Sequence, residues 1–286
     1  MKTTQLSPRS KKKLTTFLRW IAMLLMVFIS FGPILVIILS AFKLEKDIFT
    51  FVPQLLFKPT IENFRELITK WPDFFKSLKN SLLITLGTSV LTLLLSIPTA
   101  YAYSRLTSKK LTRSAILLIV VRMFPPIITT IPLYPILNKI GMLDTHIVLI
   151  MIYTAFQISM SVMIFKTYID SIPTELEEQA QIDGCSRFKA FRKIMMPLLA
   201  PGTVTALIYI ILFSWNDFDF AYLMTGTATV TGPVKIAELL GIIGQGAMKW
   251  GTIFAASTIQ MVPILIIIWI LQRGIIEGYK IGAVKE

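Results

Sequence analysis

The sequence has few of the residues that soluble enzymes use for chemistry. Among its 286 residues are one cysteine, Cys185, and one histidine, His146, so we expect neither a disulfide framework nor a cluster of soft metal ligands. It contains no G-x-x-x-x-G-K-[ST] loop to hold ATP phosphates and no H-E-x-x-H zinc motif. We therefore expect no catalytic residue, no resident metal and no cofactor bound by this chain.

Charge is also scarce, because only 16% of the residues are charged, against about 25% in soluble domains. Hydrophobic residues make up 54% of the chain and the mean hydropathy is +0.69. This composition excludes intrinsic disorder, and a soluble fold this apolar would expose large adhesive patches. We conclude that the chain is an integral membrane protein.

Six stretches are long and apolar enough to cross a bilayer, which takes about 20 residues. Only the third contains a charged residue, Arg122. The stretches are Trp20–Phe42, Ser81–Ser104, Ser114–Asn138, Ile147–Phe165, Leu198–Asn216 and Thr252–Gln272. The sequence thus predicts an all-α integral membrane domain over residues 20–272 with six transmembrane helices, the first being a retained anchor because its apolar run exceeds that of a signal peptide.

The basic residues have an uneven distribution around these stretches. Eighteen lie in the tail 1–19, the even-numbered loops and the tail 273–286, whereas ten lie in the loops on the other side, chiefly 43–79 and 223–250. The positive-inside rule then predicts that both termini are cytoplasmic. The net charge of +13 is therefore mostly an orientation signal, and we expect the lipid bilayer, not nucleic acid, as a partner.

The cytoplasmic segment 171–197 has the pattern of two short helices with a break. Thr174 followed by Glu177 is typical of a capping box. The turn Asp183–Gly184 suits a positive φ at the glycine, and Ser186 can cap the second helix.

We expect that second helix to run from Arg187 to Met196 and to end at Pro197. A capped cytoplasmic loop is the simpler interpretation of the segment. Its length, its acidic first half and basic second half, and the small residue Ala180 that we expect to be exposed favour a docking element instead.

The segment resembles the EAA signature of binding-protein-dependent ABC importer permeases. The match rests on spacing at five positions, with Gln179 and Met196 as departures: Glu178, Ala180, Gly184, Ile194 and Pro197. The resemblance implies the type I ABC importer transmembrane fold, in the plasma (inner) membrane of a prokaryote. It also implies that the segment is a coupling helix docking on an ATPase subunit, through Glu175, Glu178, Gln179, Ala180, Asp183, Gly184, Arg187, Phe188 and Pro197.

The same resemblance implies the partners. They are a second homologous permease, two ATPase subunits that use ATP and Mg, and an extracytoplasmic solute-binding protein. The run Ser214–Asp217 and the tail Gly278–Lys285 resemble the maltose-type carbohydrate permeases. In that family the tail contacts the ATPases and the outer loop at 223–250 reaches the binding protein, so a sugar or oligosaccharide is the expected solute. A polyol, a phosphorylated polyol and a polyamine stay open, and an ion-coupled secondary transporter is disfavoured because intramembrane acids are few.

Aromatic and amide side chains on three of the predicted spans are candidates for the solute pathway, since aromatic faces and amides suit sugars. They are Tyr153, Gln157, Tyr209, Phe213, Trp215, Asn216, Asp217 and Gln260. The alternative is an interhelical hydrogen-bond network.

Two further features of the spans call for an interpretation. The second span presents one stripe of hydroxyls, which we assign to helix packing: Thr85, Ser89, Thr92, Ser96 and Thr99. For the intramembrane Arg122 we hypothesise an ion pair with Asp217 or Asp219.

Overall fold

The computed structural model describes residues 8–50, 56–241 and 249–283, and the side chains of residues 8–13, 126, 127, 241 and 273–283 lie outside that description. Within this part of the chain, all regular elements are helical. They are α1 Pro8–Ala41, α2 Glu45–Ile48, α3 Glu62–Lys70, α4 Asp73–Arg105, α5 Lys109–Arg122, α6 Pro126–Lys139, α7 His146–Asp170, α8 Glu175–Ile182, α9 Arg187–Ala190, α10 Met196–Leu198, α11 Ala200–Asn216, α12 Asp219–Met224, α13 Gly232–Gly241 and α14 Trp250–Ala283.

Four of the described helices are long and apolar enough to cross a membrane: Leu14–Ala41, Asp73–Arg105, His146–Asp170 and Trp250–Gln272. They coincide with the first, second, fourth and sixth predicted spans. A fifth qualifies if Arg187–Leu198 and Ala200–Asn216, which meet at a bend of 69°, form one span. The expectation of an all-helical membrane protein is confirmed.

The third predicted span is wrong as a single helix. It divides into α5 and α6, each of 14 residues, and a helix of that length extends only about 21 Å. The break falls at Pro125, whose ψ of 134° is extended. A proline forces the residue before it out of the helical region, and here Pro126 follows Pro125 directly. Pro126 is instead the first residue of α6, where its missing N–H costs nothing.

The fifth predicted span also begins differently from the expectation. The helix after Ser186 does not end at Pro197, because a π-helical turn, Phe191–Met195, leads directly into α10, where Pro197 occupies the first turn. Leu199 separates α10 from α11, and the chain bends there by 69°. The proline is tolerated at a helix start, where its N–H is not needed.

The chain divides into two compact units, of which the larger comprises residues 72–244 and 260–286. In this unit α4 packs along α7. A Cβ on Gly87 would lie 2.6 Å from Cδ1 of Ile150, so this glycine permits a close helix approach. The expected hydroxyl stripe faces the protein interior at four of its five positions, namely Thr85, Ser89, Thr92 and Ser96. Burial of these hydroxyls agrees with the packing assignment.

The smaller unit comprises residues 1–71 and 245–259. Its described part includes a cap on α14, since the two carboxylate oxygens of Glu45 accept hydrogen bonds from the amides of Trp250 and Gly251, at 2.8 and 3.0 Å. Lys249 forms an ion pair with Glu66 at 2.8 Å. Burial raises the pKa of Glu66, but Lys249 and Lys70 outweigh it and the pKa is lowered.

Parts of four predicted regions lie outside the described residues, among them residues 284–286 of the C-terminal tail. Residues 1–7 belong to the N-terminal tail, 51–55 to the first outer loop and 242–248 to the outer loop 223–250. The side chains of the tail Gly278–Lys285, expected to contact the ATPases, are also outside the description.

Candidate functional site

The segment 171–197 forms the two helices and the break that its sequence predicts. Helix α8 ends in a turn at Gly184, whose φ is +84°. The amide of Cys185 donates to the carbonyl of Ala180 at 2.9 Å, and that of Gly184 to the carbonyl of Gln181 at 3.0 Å, as in a Schellman motif. The hydroxyl of Ser186 accepts from the amide of Lys189 at 3.3 Å and caps α9. The roles predicted for the glycine and the serine are confirmed.

The predicted capping box at the start of α8 is wrong. Thr174 has helical angles, φ −66° and ψ −27°, and its side chain accepts no capping hydrogen bond. A capping residue is normally extended, so that its oxygen can reach the free amides of the first turn. Here Thr174, immediately before α8, already has the helical conformation, and the amide of Glu177 donates to its carbonyl at 3.0 Å. The carboxylate of Glu177 is therefore available for a different partner.

That partner is the C-terminal end of α4. One carboxylate oxygen of Glu177 lies 2.7 Å from Nε of Arg105, and the other accepts from the hydroxyl of Tyr101 at 2.6 Å. A second guanidinium nitrogen of Arg105 donates to the carbonyl of Ile172 at 2.8 Å. The ring of Tyr101 packs edge-on against Phe191, with centroids 4.8 Å apart. Sequence reasoning missed this cluster, although Tyr101 and Arg105 at i and i+4 near a span end could have indicated it.

Most residues of the predicted coupling set lie on the exposed side of the segment. They are Glu175, Glu178, Gln179, Asp183, Gly184, Arg187, Phe188 and Pro197. The two most exposed large apolar side chains of the segment are Phe188, at 73%, and Ile182, which sequence reasoning missed, at 85%. Ala180 is 6% exposed, so the expectation of an exposed small residue there is wrong. Its side chain faces the protein, which helps α8 to lie close.

Three of the eight pathway candidates meet at Tyr153. The hydroxyl of Tyr153 donates to Asp217 at 2.7 Å, and its ring packs edge-on against Phe213 at 5.7 Å between centroids. The carboxylate of Asp217 also accepts from the amide of Ala221 at 3.2 Å. The tyrosine is fully buried. These residues connect α7, α11 and α12.

Four further candidates join α11 to α14 and to α7. The indole N–H of Trp215 donates to the carbonyl of Gln260 at 3.0 Å, and the amide of Gln260 approaches the carbonyl of Trp215 at 3.5 Å. A Cβ on Gly232 would meet the side-chain amide of Gln260, so a larger residue there would displace that amide. Gln157 donates to the carbonyl of Tyr209 at 3.4 Å.

Seven of the eight candidates thus belong to interhelical contacts, as the alternative interpretation expected. Asn216 differs, because it is exposed and its amide returns to the carbonyl of Leu212 at 2.8 Å, on its own helix. A role in lining the solute pathway stays a prediction for all eight.

Arg122, at the end of α5, pairs with a phenol and not with an acid. Its guanidinium donates to the hydroxyl of Tyr209 at 2.9 Å and lies 5.6 Å from the centroid of that ring. Neither Asp217 nor Asp219 forms an ion pair with it in the described structure. The hypothesised pair is wrong because Asp217 already holds Tyr153 and lies beyond the end of α11.

A second cluster, also missed by sequence reasoning, holds the chain between α12 and α13. Asp144 accepts from the amides of Gly226, Ala228 and Thr229 at 2.8–3.0 Å and from the hydroxyl of Thr229 at 2.6 Å. Burial raises the pKa of Asp144, but these four donors outweigh it and lower the pKa to about 2. Asn80 donates to the carbonyls of Ala228 and Val230 at 3.1 and 3.0 Å.

Beside this clamped loop is an open cavity of about 900 Å³. Its lining mixes two tyrosines with side chains of both charges: Tyr134, Tyr222, Lys76, Lys235 and Glu238. The lysine and glutamate on α13 form an ion pair at 2.8 Å. The loop therefore presents a polar, firmly held surface at this end of the helices.

Comparison with known proteins agrees with this architecture. Residues 92–279 match the family described as binding-protein-dependent transport system inner membrane component. The trehalose transport system permease protein SugB of Mycobacterium tuberculosis (strain CDC 1551 / Oshkosh) is 39% identical over 230 residues, which are 79% of this chain and 82% of that protein.

The trehalose/maltose transport system permease protein MalG of Thermococcus litoralis is 32% identical over 267 residues, covering 93% of this chain and 95% of that protein. A chain from the crystal structure of a bacterial ABC transporter involved in the import of the acidic polysaccharide alginate has a similar fold. Its TM-score is 0.76 at 16% identity, over 95% of this chain and 99% of that one. The chain therefore belongs to the family of binding-protein-dependent transport system inner membrane components, as a multi-pass ABC importer permease of the carbohydrate type.

Proposed function

We propose that this chain is one of two permease subunits of an ATP-driven importer that moves a sugar or oligosaccharide into the cytoplasm. The solute arrives on an external binding protein. Two ATPase subunits hydrolyse ATP with Mg, and their closure moves the segment 174–197. The membrane helices then alternate between inward-open and outward-open states, and hydrolysis resets the cycle.

The observation that carries this proposal is the exposed apolar surface of the coupling segment. Phe188 and Ile182 are 73% and 85% exposed on a short helical hairpin rich in charge. Two large apolar side chains standing free on a polar segment are typical of a docking surface. The chain itself has no P-loop, so the hydrolysing subunit must be a partner.

The orientation and the number of crossings follow from charge and length. The 18-to-10 distribution of basic residues supports cytoplasmic termini. That orientation puts the segment 174–197 on the ATPase side and the loop held by Asp144 on the side of the binding protein. With α5 and α6 together making the third crossing and α11 the fifth, the chain crosses six times.

The identity of the solute is supported by the relatives, whose names record trehalose and maltose transport. Of the pathway candidates, Asn216 is exposed, and Phe213 and Tyr209 are part-exposed, on α11. An amide beside aromatic rings suits the hydroxyls and the apolar face of a sugar. We therefore assign any direct solute contact by this subunit to the accessible side of α11.

The test is reconstitution of the assembled importer in vesicles, with its ATPase subunits, partner permease and binding protein. ATP hydrolysis and uptake are measured across mono- and oligosaccharides, polyols, phosphorylated polyols and polyamines. We expect a sugar to stimulate both activities together. Uptake without an ATPase partner would overturn the proposal. Stimulation by a polyol or polyamine alone would show that the solute is not a sugar.

A further inference from the structure

Glu177 differs from the acids beside it in where its carboxylate lies. Glu175 and Glu178 are exposed, whereas Glu177 is 6% exposed and faces the end of α4. Both of its carboxylate oxygens have partners, the Nε of Arg105 and the hydroxyl of Tyr101. It is therefore turned away from the exposed face of the segment, and it is not available to contact a docked protein.

Arg105 and Tyr101 extend this contact to both halves of the segment. Arg105 holds the carbonyl of Ile172, on the chain that enters α8, while it binds Glu177 within α8. Tyr101 holds Glu177 through its hydroxyl and Phe191, in the π-helical turn, through its ring. Two side chains one turn apart on α4 thus contact three parts of the segment. These are the chain before α8, α8 itself and the π-helical turn after α9.

The Arg105–Glu177 pair is also well shielded. The side chains of Arg105 and Glu177 are 13% and 8% exposed, whereas the nearby Lys166–Asp170 pair is 40% and 45% exposed. A shielded pair with every oxygen partnered is geometrically specific, and removal of one member leaves a buried charge without a partner. The side chains of an exposed ion pair move freely, so such a pair contributes little to holding two elements together.

We infer that Glu177 is a positioning residue for transport. Through Arg105 and Tyr101 it makes the coupling segment and α4 move as one body. Movement imposed on the segment then reaches the span Asp73–Arg105 through these side chains, rather than along the connection 171–174. This inference rests on the proposed function, because it requires an ATPase that moves the segment.

The test measures solute imported per ATP hydrolysed in the reconstituted importer. Glu177→Gln and Arg105→Gln each remove the ion pair, and the doubly substituted E177R/R105E restores it in reverse. Tyr101→Phe removes one hydroxyl and keeps the ring against Phe191. Arg113→Gln, an exposed arginine on α5, is the matched control.

We expect Glu177→Gln and Arg105→Gln to lower the ratio at least tenfold while the ATPase subunits still co-purify and still hydrolyse ATP. The reversed pair should recover at least a third of the wild-type ratio, Tyr101→Phe should lose two- to fivefold, and Arg113→Gln should match wild type.

Two results would overturn the inference while leaving the proposed function intact. One is a wild-type ratio in both single variants. The other is a folded, ATPase-bound reversed pair with no recovery although Tyr101→Phe has wild-type activity. If the unsubstituted chain binds no ATPase, the proposed function fails and the inference fails with it.

Discussion

The carboxylate of Asp144 accepts hydrogen bonds from both the amide and the hydroxyl of Thr229, at 2.8 and 2.6 Å. These residues are 85 positions apart in the chain. Asp144 itself has a φ of 56°, a left-handed conformation that aspartate and asparagine tolerate better than most residues. One carboxylate in an unusual backbone position therefore fixes the loop before α13.

The stability of this loop should depend on the charge of Asp144. Because hydrogen bonding lowers the folded-state pKa to about 2, the stabilisation is complete above about pH 4 and is lost as the pH falls towards 2. We expect the protection factors of the Gly226, Ala228 and Thr229 amides in hydrogen exchange to fall across that range. Asp144→Asn keeps the size and the backbone preference, and should lower them at least tenfold at neutral pH, which corresponds to about 1.4 kcal/mol.

Asp73→Asn, at an exposed aspartate lining the same cavity, is the control and should leave the protection factors unchanged. Equal protection in Asp144→Asn and wild type would show that the carboxylate does not hold the loop.

Position 184 should require glycine because of its backbone conformation, and not because a side chain there would lack room. Its φ is +84° and a Cβ there would meet nothing within 4 Å. Gly184→Ala should therefore cost about 1–2 kcal/mol from backbone strain alone, and should lower the recovery of ATPase subunits with the permease. Gly32→Ala, where a Cβ also meets nothing and φ is ordinary, is the matched control and should not destabilise. Thermal unfolding of the purified protein measures both, and equal melting temperatures for the two variants would contradict the prediction.

Phe188 should contribute to docking and not to folding. It is 73% exposed, so Phe188→Ala should change stability by less than about 0.5 kcal/mol and lower the amount of ATPase that co-purifies several-fold. Phe165→Ala, at a fully buried ring, should instead cost about 3–5 kcal/mol.

Phe49→Ala removes a ring that is 67% exposed in the other compact unit and should leave ATPase recovery unchanged. If Phe188→Ala retained full ATPase binding, Phe188 would not be part of the docking surface.

We expect Tyr209, and not an aspartate, to stabilise the guanidinium of Arg122. Removal of the phenolic hydroxyl in Tyr209→Phe should cost about 1 kcal/mol of stability, because the ring still contacts the guanidinium. Arg122→Asp should reduce uptake, and Asp217→Arg in the same chain should not restore it, since Asp217 holds Tyr153. Recovery of uptake in that doubly substituted protein would contradict this prediction, because it would indicate an ion pair between positions 122 and 217.

Local signals in the sequence predicted much of this molecule. The lengths of the apolar stretches indicated α1, α4, α7 and α14, because hydrocarbon thickness sets a minimum length for a spanning helix. The turn at Gly184 and the cap at Ser186 follow from the properties of single residues. The spacing from Glu178 to Pro197 identified the family.

The errors arose where a local signal competed with a tertiary partner. Thr174 and Glu177 have the spacing of a capping box, yet the carboxylate of Glu177 instead binds a guanidinium and a phenol on α4. A charge-assisted hydrogen bond from a guanidinium is stronger than one from a neutral backbone amide. Depth in the sequence indicated Asp217 or Asp219 as the partner of Arg122, although Asp217 binds Tyr153 and the guanidinium binds Tyr209.

The sequence alone therefore determined that the chain is a helical membrane permease and singled out the segment 171–197 by its motif, since hydropathy and motif spacing are properties of neighbouring residues. Only the tertiary structure decided which charges meet. Glu177 and Arg105, 72 residues apart, and Asp144 and Thr229, 85 residues apart, are brought together by helix packing. Whether two side chains interact depends on their distance and orientation in the folded protein, and the linear sequence gives neither directly.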